Sequence, residues 1–223
     1  MLSVVIQQPA HRVTVPNWVS DRESFLRWTA DDSFPEYGRI DYLAGEIWID
    51  MSEEQIYSHN QVKTEFTYVL TGLAKVSRLG RFYQDGLRID HPEADLAAVP
   101  DGVYISRKRL ETLRIRKVEG AEGGYVRMEG APDMVLEVVS DSSVEKDSVR
   151  LRDLYWQAGV REYWLVDARS KRLTFTIWKH SAKGYTAARG RDGWLKSDVF
   201  GKAFRLTAGT DELSDPEFIL EVR

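Results

Sequence analysis

Two carboxylates are notable for where they sit. Asp101 lies in "VPDGVYIS", and Glu137 interrupts the apolar run "DMVLEVVS". An ionised, unpaired Glu within such a run costs on the order of several kcal/mol. Its ordinary role is an ion pair with an Arg near the strand end; its chemical role is that of a ligand to a hard cation. Asp101 has an ordinary role as well, because Pro-Asp-Gly is a strong turn former. Two acids brought together on neighbouring strands repel each other unless a divalent cation sits between them. Magnesium takes one or two protein carboxylates and fills the rest of its shell with water and phosphate oxygens. Such a pair therefore suits metal-assisted attack of water on a phosphodiester.

Other chemistries are excluded by composition. The 223 residues contain no Cys, so a disulfide framework, a thiolate zinc site and a cysteine nucleophile are absent. The four His residues, His11, His59, His91 and His180, form no H-E-x-x-H pair, and there is neither a Walker-type phosphate loop nor a G-x-S-x-G elbow. What remains is carboxylates, Lys and Arg. A net charge of −4 speaks against a protein that coats nucleic acid through its overall charge, yet leaves room for a local basic strip. With 43% hydrophobic residues the chain is a folding one, and no apolar run approaches the roughly 20 residues that span a bilayer. Met1–Arg12 lacks the pattern of a secretory leader, so a cytoplasmic location is expected.

The elements that must position the acids follow from periodicity. Residues 1–20 read as an arm. A short helix is expected over 21–30, with Ser20 as N-cap, and a hairpin from "RIDYL" and "EIWID" around Ala44-Gly45. Val62, Phe66, Val69, Leu70 and Leu73 form one stripe of a helix over 56–76 that Gly80 stops. "RFYQDGLRID" and "AAVPDGVYIS" read as strand runs, and the cation-dense "RKRLETLRIRK" reads as a helix whose cations could track phosphates. "DMVLEVVS" reads as a strand buried on both faces. Ser142 and Glu145 match a capping box for a helix reaching about Gln157, closed by Gly159, before the strand "REYWLVD". That is a βαβ-like unit. Short antiparallel strands follow from Lys171. One domain is expected over 1–223, with a core at 21–170 and a β extension at 171–223.

The order "GEIWIDMS", "SHNQVKTEF", "PDGVYIS", "LEVVSDSSVEKD" and "LYWQAGVREYWLVD" resembles the Uma-two family of restriction-endonuclease-like proteins, within the PD-(D/E)XK nuclease superfamily. The resemblance covers roughly residues 20–170. It implies an α/β fold with a restriction-endonuclease-like core, a mixed central sheet flanked by helices. It further implies a magnesium ion, with manganese as a substitute, held by Asp101 and Glu137, with the Val138 carbonyl completing the shell. By motif position Glu46 is a further candidate ligand and His59 an accessory residue. Each also has an ordinary role: Glu46 facing water, and His59 hydrogen-bonded and partly buried beside the Val62–Phe66 stripe.

Two departures from the family pattern bear on activity. The superfamily usually has a Lys two residues after the Glu, where this chain has Val139, and many family members have one where this chain has Leu151. Lys146, in the first turn after Glu137, is the candidate to position water, and Arg150, four residues on, a fixed-charge accessory. Either could equally be a solvated helix charge. The expected activity is magnesium-dependent hydrolysis of DNA by a homodimer that makes no contact with membranes. The alternatives are a catalytically degenerate nuclease-fold module that binds nucleic acid or protein, and an assembly protein built on aromatic-rich strands.

Overall fold

The computed structural model describes residues 3–6, 13–121 and 123–223. Among the described residues the strands form three sheets. The first is mixed and runs Ser3–Ile6 (β1), Glu46–Asp50 (β3), Arg39–Leu43 (β2), Leu96–Ala98 (β6), Arg88–His91 (β5), Tyr125–Gly130 (β9), Ile115–Glu119 (β8). The second runs Gly184–Ala187 (β13), Thr174–Ser181 (β12), Glu162–Asp167 (β11), Met134–Val138 (β10), Gly102–Ser106 (β7), Gly80–Gln84 (β4). The third is antiparallel: Gly190–Arg191 (β14), Trp194–Ser197 (β15), Lys202–Thr210 (β16), Pro216–Val222 (β17). Four α-helices accompany them: Arg22–Trp28 (α1), Val62–Ser77 (α2), Arg107–Glu111 (α3) and Leu151–Gln157 (α4). The whole is a mixed α/β architecture with an added antiparallel C-terminal sheet.

The βαβ reading holds. β10 and β11 are parallel, paired Met134 to Glu162 through Val138 to Val166, with α4 in the crossover. Strand alternation sorts the faces of β10. Met134, Leu136 and Val138 pack with Phe66 and Leu70 of α2, and with Phe204 and Leu220 of the third sheet. Val135 packs against Leu154 and Tyr155 of α4. Glu137, two residues on, shares that face and is 1% exposed.

α2 and α4 each follow a π turn, over Ile56–Gln61 and Lys146–Arg150. In the first, the Asn60 N–H reaches the Gln55 carbonyl at 2.9 Å, five residues back.

Several expectations need correction. Ser3–Ile6 is a strand parallel to β3, not an arm, while positions 1, 2 and 7–12 of that segment lie outside the described residues. Asp21, not Ser20, caps α1, accepting the Ser24 N–H at 2.7 Å. Arg78, in the left-handed region at φ 56°, ends α2 before Gly80 is reached. The 107–117 run is helical only to Glu111; Leu113 takes φ 53° and Ile115 enters β8, burying its side chain. Ser142 caps nothing, because its hydroxyl donates to Asp50 Oδ2 at 2.6 Å.

Candidate active site

β10 and β7 are antiparallel, and their last ladder pair is Leu136 with Gly102. One step further, Asp101 faces Glu137. The Asp101 N–H donates to Glu137 Oε2 at 3.3 Å, and the Val138 N–H donates to Asp101 Oδ2 at 2.7 Å. The next residue, Gly102, leaves room for the Phe82 ring of β4: a Cβ there would lie 2.6 Å from it. Asp101 sits at a bend leading into β7, and it is linked to Glu137 there.

The two acids differ in their neighbours. Asp101 Oδ1 accepts from the Arg39 guanidinium at 2.8 Å, with Lys63 Nζ at 3.7 Å; His59 Nε2 stands 3.7 Å from Oδ2. Burial works to raise the Asp101 pKa, but Arg39, His59 and Lys63 overcome it and hold it down at about 2. Glu137 has no ion-pair partner among the described residues. Its Oε1 accepts from the Tyr155 hydroxyl at 3.0 Å. Burial first, then the charges of Asp101 and Asp147, push its pKa well above the ordinary carboxylate range.

A second charged cluster lies behind the pair. Lys146 is 2% exposed, with its ammonium 3.1 Å from Asp41 Oδ2 and 3.9 Å from Asp147 Oδ1. Burial would lower its pKa, but Asp41 and Asp147 raise it instead, so this Lys is a fixed cation rather than a tunable one. Asp147 is lifted to about 6 by burial, and its Oδ1 has no hydrogen-bond partner. The cluster thus buries four acids, Asp41, Asp101, Glu137 and Asp147. Against them stand Arg39, Lys63 and Lys146, two of which also serve the more exposed Glu54 and Asp85. Of these four acids, Glu137 is the one with no ion-pair partner among the described residues.

The donor set therefore fits a hard divalent ion. Asp101 and Glu137 are tied together through the Asp101 and Val138 N–H groups, and Glu137 has no counter-charge among the described residues. No three His, Asp or Glu side chains converge as a ready-made ligand set among the described residues. Two carboxylates completed by backbone and solvent oxygens match magnesium better than a fully caged ion. Asp101 borders a cleft of about 220 Å³ lined also by Glu54, Asn60, Lys63, Thr67 and Asp85. Beyond Arg39 a second cleft of about 360 Å³ is lined by Asp50, Ser52, His59 and Arg88.

Of the residues singled out in the sequence, Asp101, Glu137 and His59 come together. His59 is hydrogen-bonded through Nδ1 to Glu54 at 2.9 Å. Lys146 lies behind the pair and bonds Asp41 rather than either acid. Glu46 is elsewhere: its carboxylate takes the Arg150 guanidinium at 2.9 Å and the Trp48 ring N–H at 3.1 Å, and Arg150 is half exposed. Arg39, Lys63 and Tyr155 were not anticipated as site residues. Their signals were the Arg39/Asp41 alternation on β2, the His59/Lys63 spacing of four, and Tyr155 four residues after Leu151.

The family model described as Uma2, putative restriction endonuclease, matches residues 22–209. Among solved structures, a putative nuclease belonging to DUF820 from Anabaena variabilis ATCC 29413 is similar in fold. It has a TM-score of 0.61 and 19% identity, over 81% of this chain and 90% of that one. No curated protein matches.

Proposed function

The chain belongs to the Uma2 family of putative restriction endonucleases, and from that premise we propose that it hydrolyses phosphodiester bonds in DNA with magnesium. The observation that carries this reading is the buried Asp101–Glu137 pair, in which Glu137 has no counter-cation. Asp101, Glu137 and the Val138 carbonyl would hold the ion, with manganese as a substitute. The bound ion supplies Lewis-acid polarisation of the phosphate and a lowered pKa for water.

The protein's own residues do the rest. Tyr155 fixes the Glu137 carboxyl through its hydroxyl. Arg39 orients Asp101 and lines the 360 Å³ cleft, where its guanidinium suits a phosphate oxygen. His59, set by Glu54, stands on the other side of Asp101. Lys146 is a positioning residue that acts on the pair through its charge. The reading includes one domain over 1–223, a cytoplasmic location and a homodimer that brings two such sites to a duplex; light scattering reads the assembly state. No helix among the described residues is long and apolar enough to cross a membrane.

Incubation of supercoiled and linear DNA with the protein and magnesium tests this function. Cleavage that vanishes on chelation, and in Asp101→Ala and Glu137→Ala, is the expected result. Cleavage undiminished in those variants overturns it.

One observation favours a second reading, a degenerate module that binds without cutting. Arg39 already neutralises Asp101, while Val139 and Leu151, where a catalytic Lys would stand, are buried apolar residues. Calorimetric titration with magnesium or manganese separates the two, since a degenerate site shows no binding that depends on Glu137.

A further inference from the structure

The cleft at Asp101 does not end there. Along the seam between α2 and β4 it is followed by a second one of about 390 Å³, lined by Thr71, Lys75, Arg78, Arg81, Tyr83 and Arg107. No carboxylate lines this second cleft. Lys75, Arg78, Arg81 and Arg107 are exposed, and among the described residues they form no ion pair. On α2, Thr64, Thr67, Thr71 and Lys75 recur at three- and four-residue steps and so share one helix face, and Arg78 follows at the helix end. β4 is the edge strand of its sheet, so no further strand covers this side.

We propose that the α2–β4 seam is the track for the phosphodiester backbone of a DNA strand, leading to the Asp101–Glu137 pair. The identity of the occupant rests on the nuclease reading; the track itself rests on charge and alignment. Four unpaired cations collect on a chain whose net charge is −4, on the same α2–β4 seam as the cleft at Asp101, whose lining also holds Glu54 and Asp85. Lys63 to Lys75 spans roughly 18 Å of helix, or about five steps of a stacked strand at 3.4 Å per charge. Lys and Arg give point-charge and forked contacts to phosphate, and the intervening Thr hydroxyls give neutral donors, a mix that holds a backbone without reading its sequence. Of the cation-dense 107–117 run, only Arg107 lines this track. Arg109 pairs with Asp133, Arg116 with Glu129, and Lys117 lies over the Tyr125 ring.

Binding of a labelled 20-nucleotide strand, and of the same sequence as duplex, to the full chain in EDTA tests the track by fluorescence anisotropy across a salt series. Lys75→Ser/Arg78→Ser/Arg81→Ser is expected to weaken single-strand binding by about tenfold or more at low salt. It should also flatten the log–log salt slope by about 2, three contacts at about 0.7 each. Arg78→Lys/Arg81→Lys should restore most of the affinity. The control triple Arg114→Ser/Arg116→Ser/Lys117→Ser removes equal charge from the β8 segment and should leave binding near the parent level. Equal losses in the two triples, or a parent that binds neither probe, overturns the track. If the expected pattern holds but the parent with magnesium cuts nothing, the track stands and the hydrolytic reading falls. Asp101-dependent cutting with both triples binding alike has the opposite meaning.

Discussion

Asp101 and Glu137 are held to each other through backbone as well as charge: the N–H of Asp101 donates to Glu137, and the N–H that follows Glu137 donates back to Asp101. Their surroundings differ. Asp101 is ionised by Arg39, His59 and Lys63, whereas Glu137 sits beside that charge with only a tyrosine hydroxyl and an amide.

Stability should therefore respond to the two acids in opposite directions. Asp101→Asn leaves the Arg39 guanidinium without its buried partner and should cost about 3–5 kcal/mol. Glu137→Gln replaces a carboxyl whose charged form burial and neighbouring acids disfavour, and should leave the melting temperature equal or higher. Thermal denaturation of both variants at pH 7 is the check, and equal destabilisation would contradict the assignment of charge.

The pH dependence has a definite sign. Asp101 contributes stability that is present above its unfolded value of 3.8 and lost as pH falls towards about 2. Glu137, raised above 4.5, favours the folded state while protonated, so its contribution declines as pH rises through the interval above 4.5. Denaturant midpoints measured from pH 4 upwards should show a declining component that Glu137→Gln abolishes.

Burial and the neighbouring acids raise the Glu137 pKa, so metal binding there would compete with its protonation, and affinity for magnesium or manganese should rise with pH. Calorimetry at several pH values reads that rise. It should be absent in Glu137→Gln.

Lys146 bonds Asp41 deep in the cluster. Lys146→Met strands two acids and should cost about 3–5 kcal/mol, and adding Asp41→Asn should recover a large part of it. A double variant no more stable than the single one would place the strain elsewhere.

Glu46 and Arg150 pair near the surface, where such bonds are worth about 0–1 kcal/mol. Glu46→Gln should therefore leave metal affinity and cleavage at parent levels. A tenfold loss of either would bring Glu46 back to the site.

The carboxylate pair was legible because each acid interrupts its segment in a way that has few explanations. The hairpin, the stripe of α2 and the crossover from β10 to β11 were legible for a similar reason, since burial imposes a period. Sheet membership was not. "RFYQDGLRID" and "AAVPDGVYIS" each look like one run, yet each is broken at Asp85-Gly86 or Val99–Asp101, and its halves join different sheets. Periodicity reports which face is buried, not which neighbour buries it. The cations were hidden for the same reason: Arg39 comes from the first sheet and Lys63 from α2, and only the folded register brings either to Asp101.

The two π turns carry a consequence for how the cluster can change. Each holds one residue more per turn than regular α pitch, at His59 in one and at Lys146-Asp147 in the other. Excising a single residue from either would restore regular α pitch there and displace His59 or the Lys146-Asp147 pair, while the flanking segments keep their register. Length variation at these two places would remodel the pocket abruptly while sparing the framework around it.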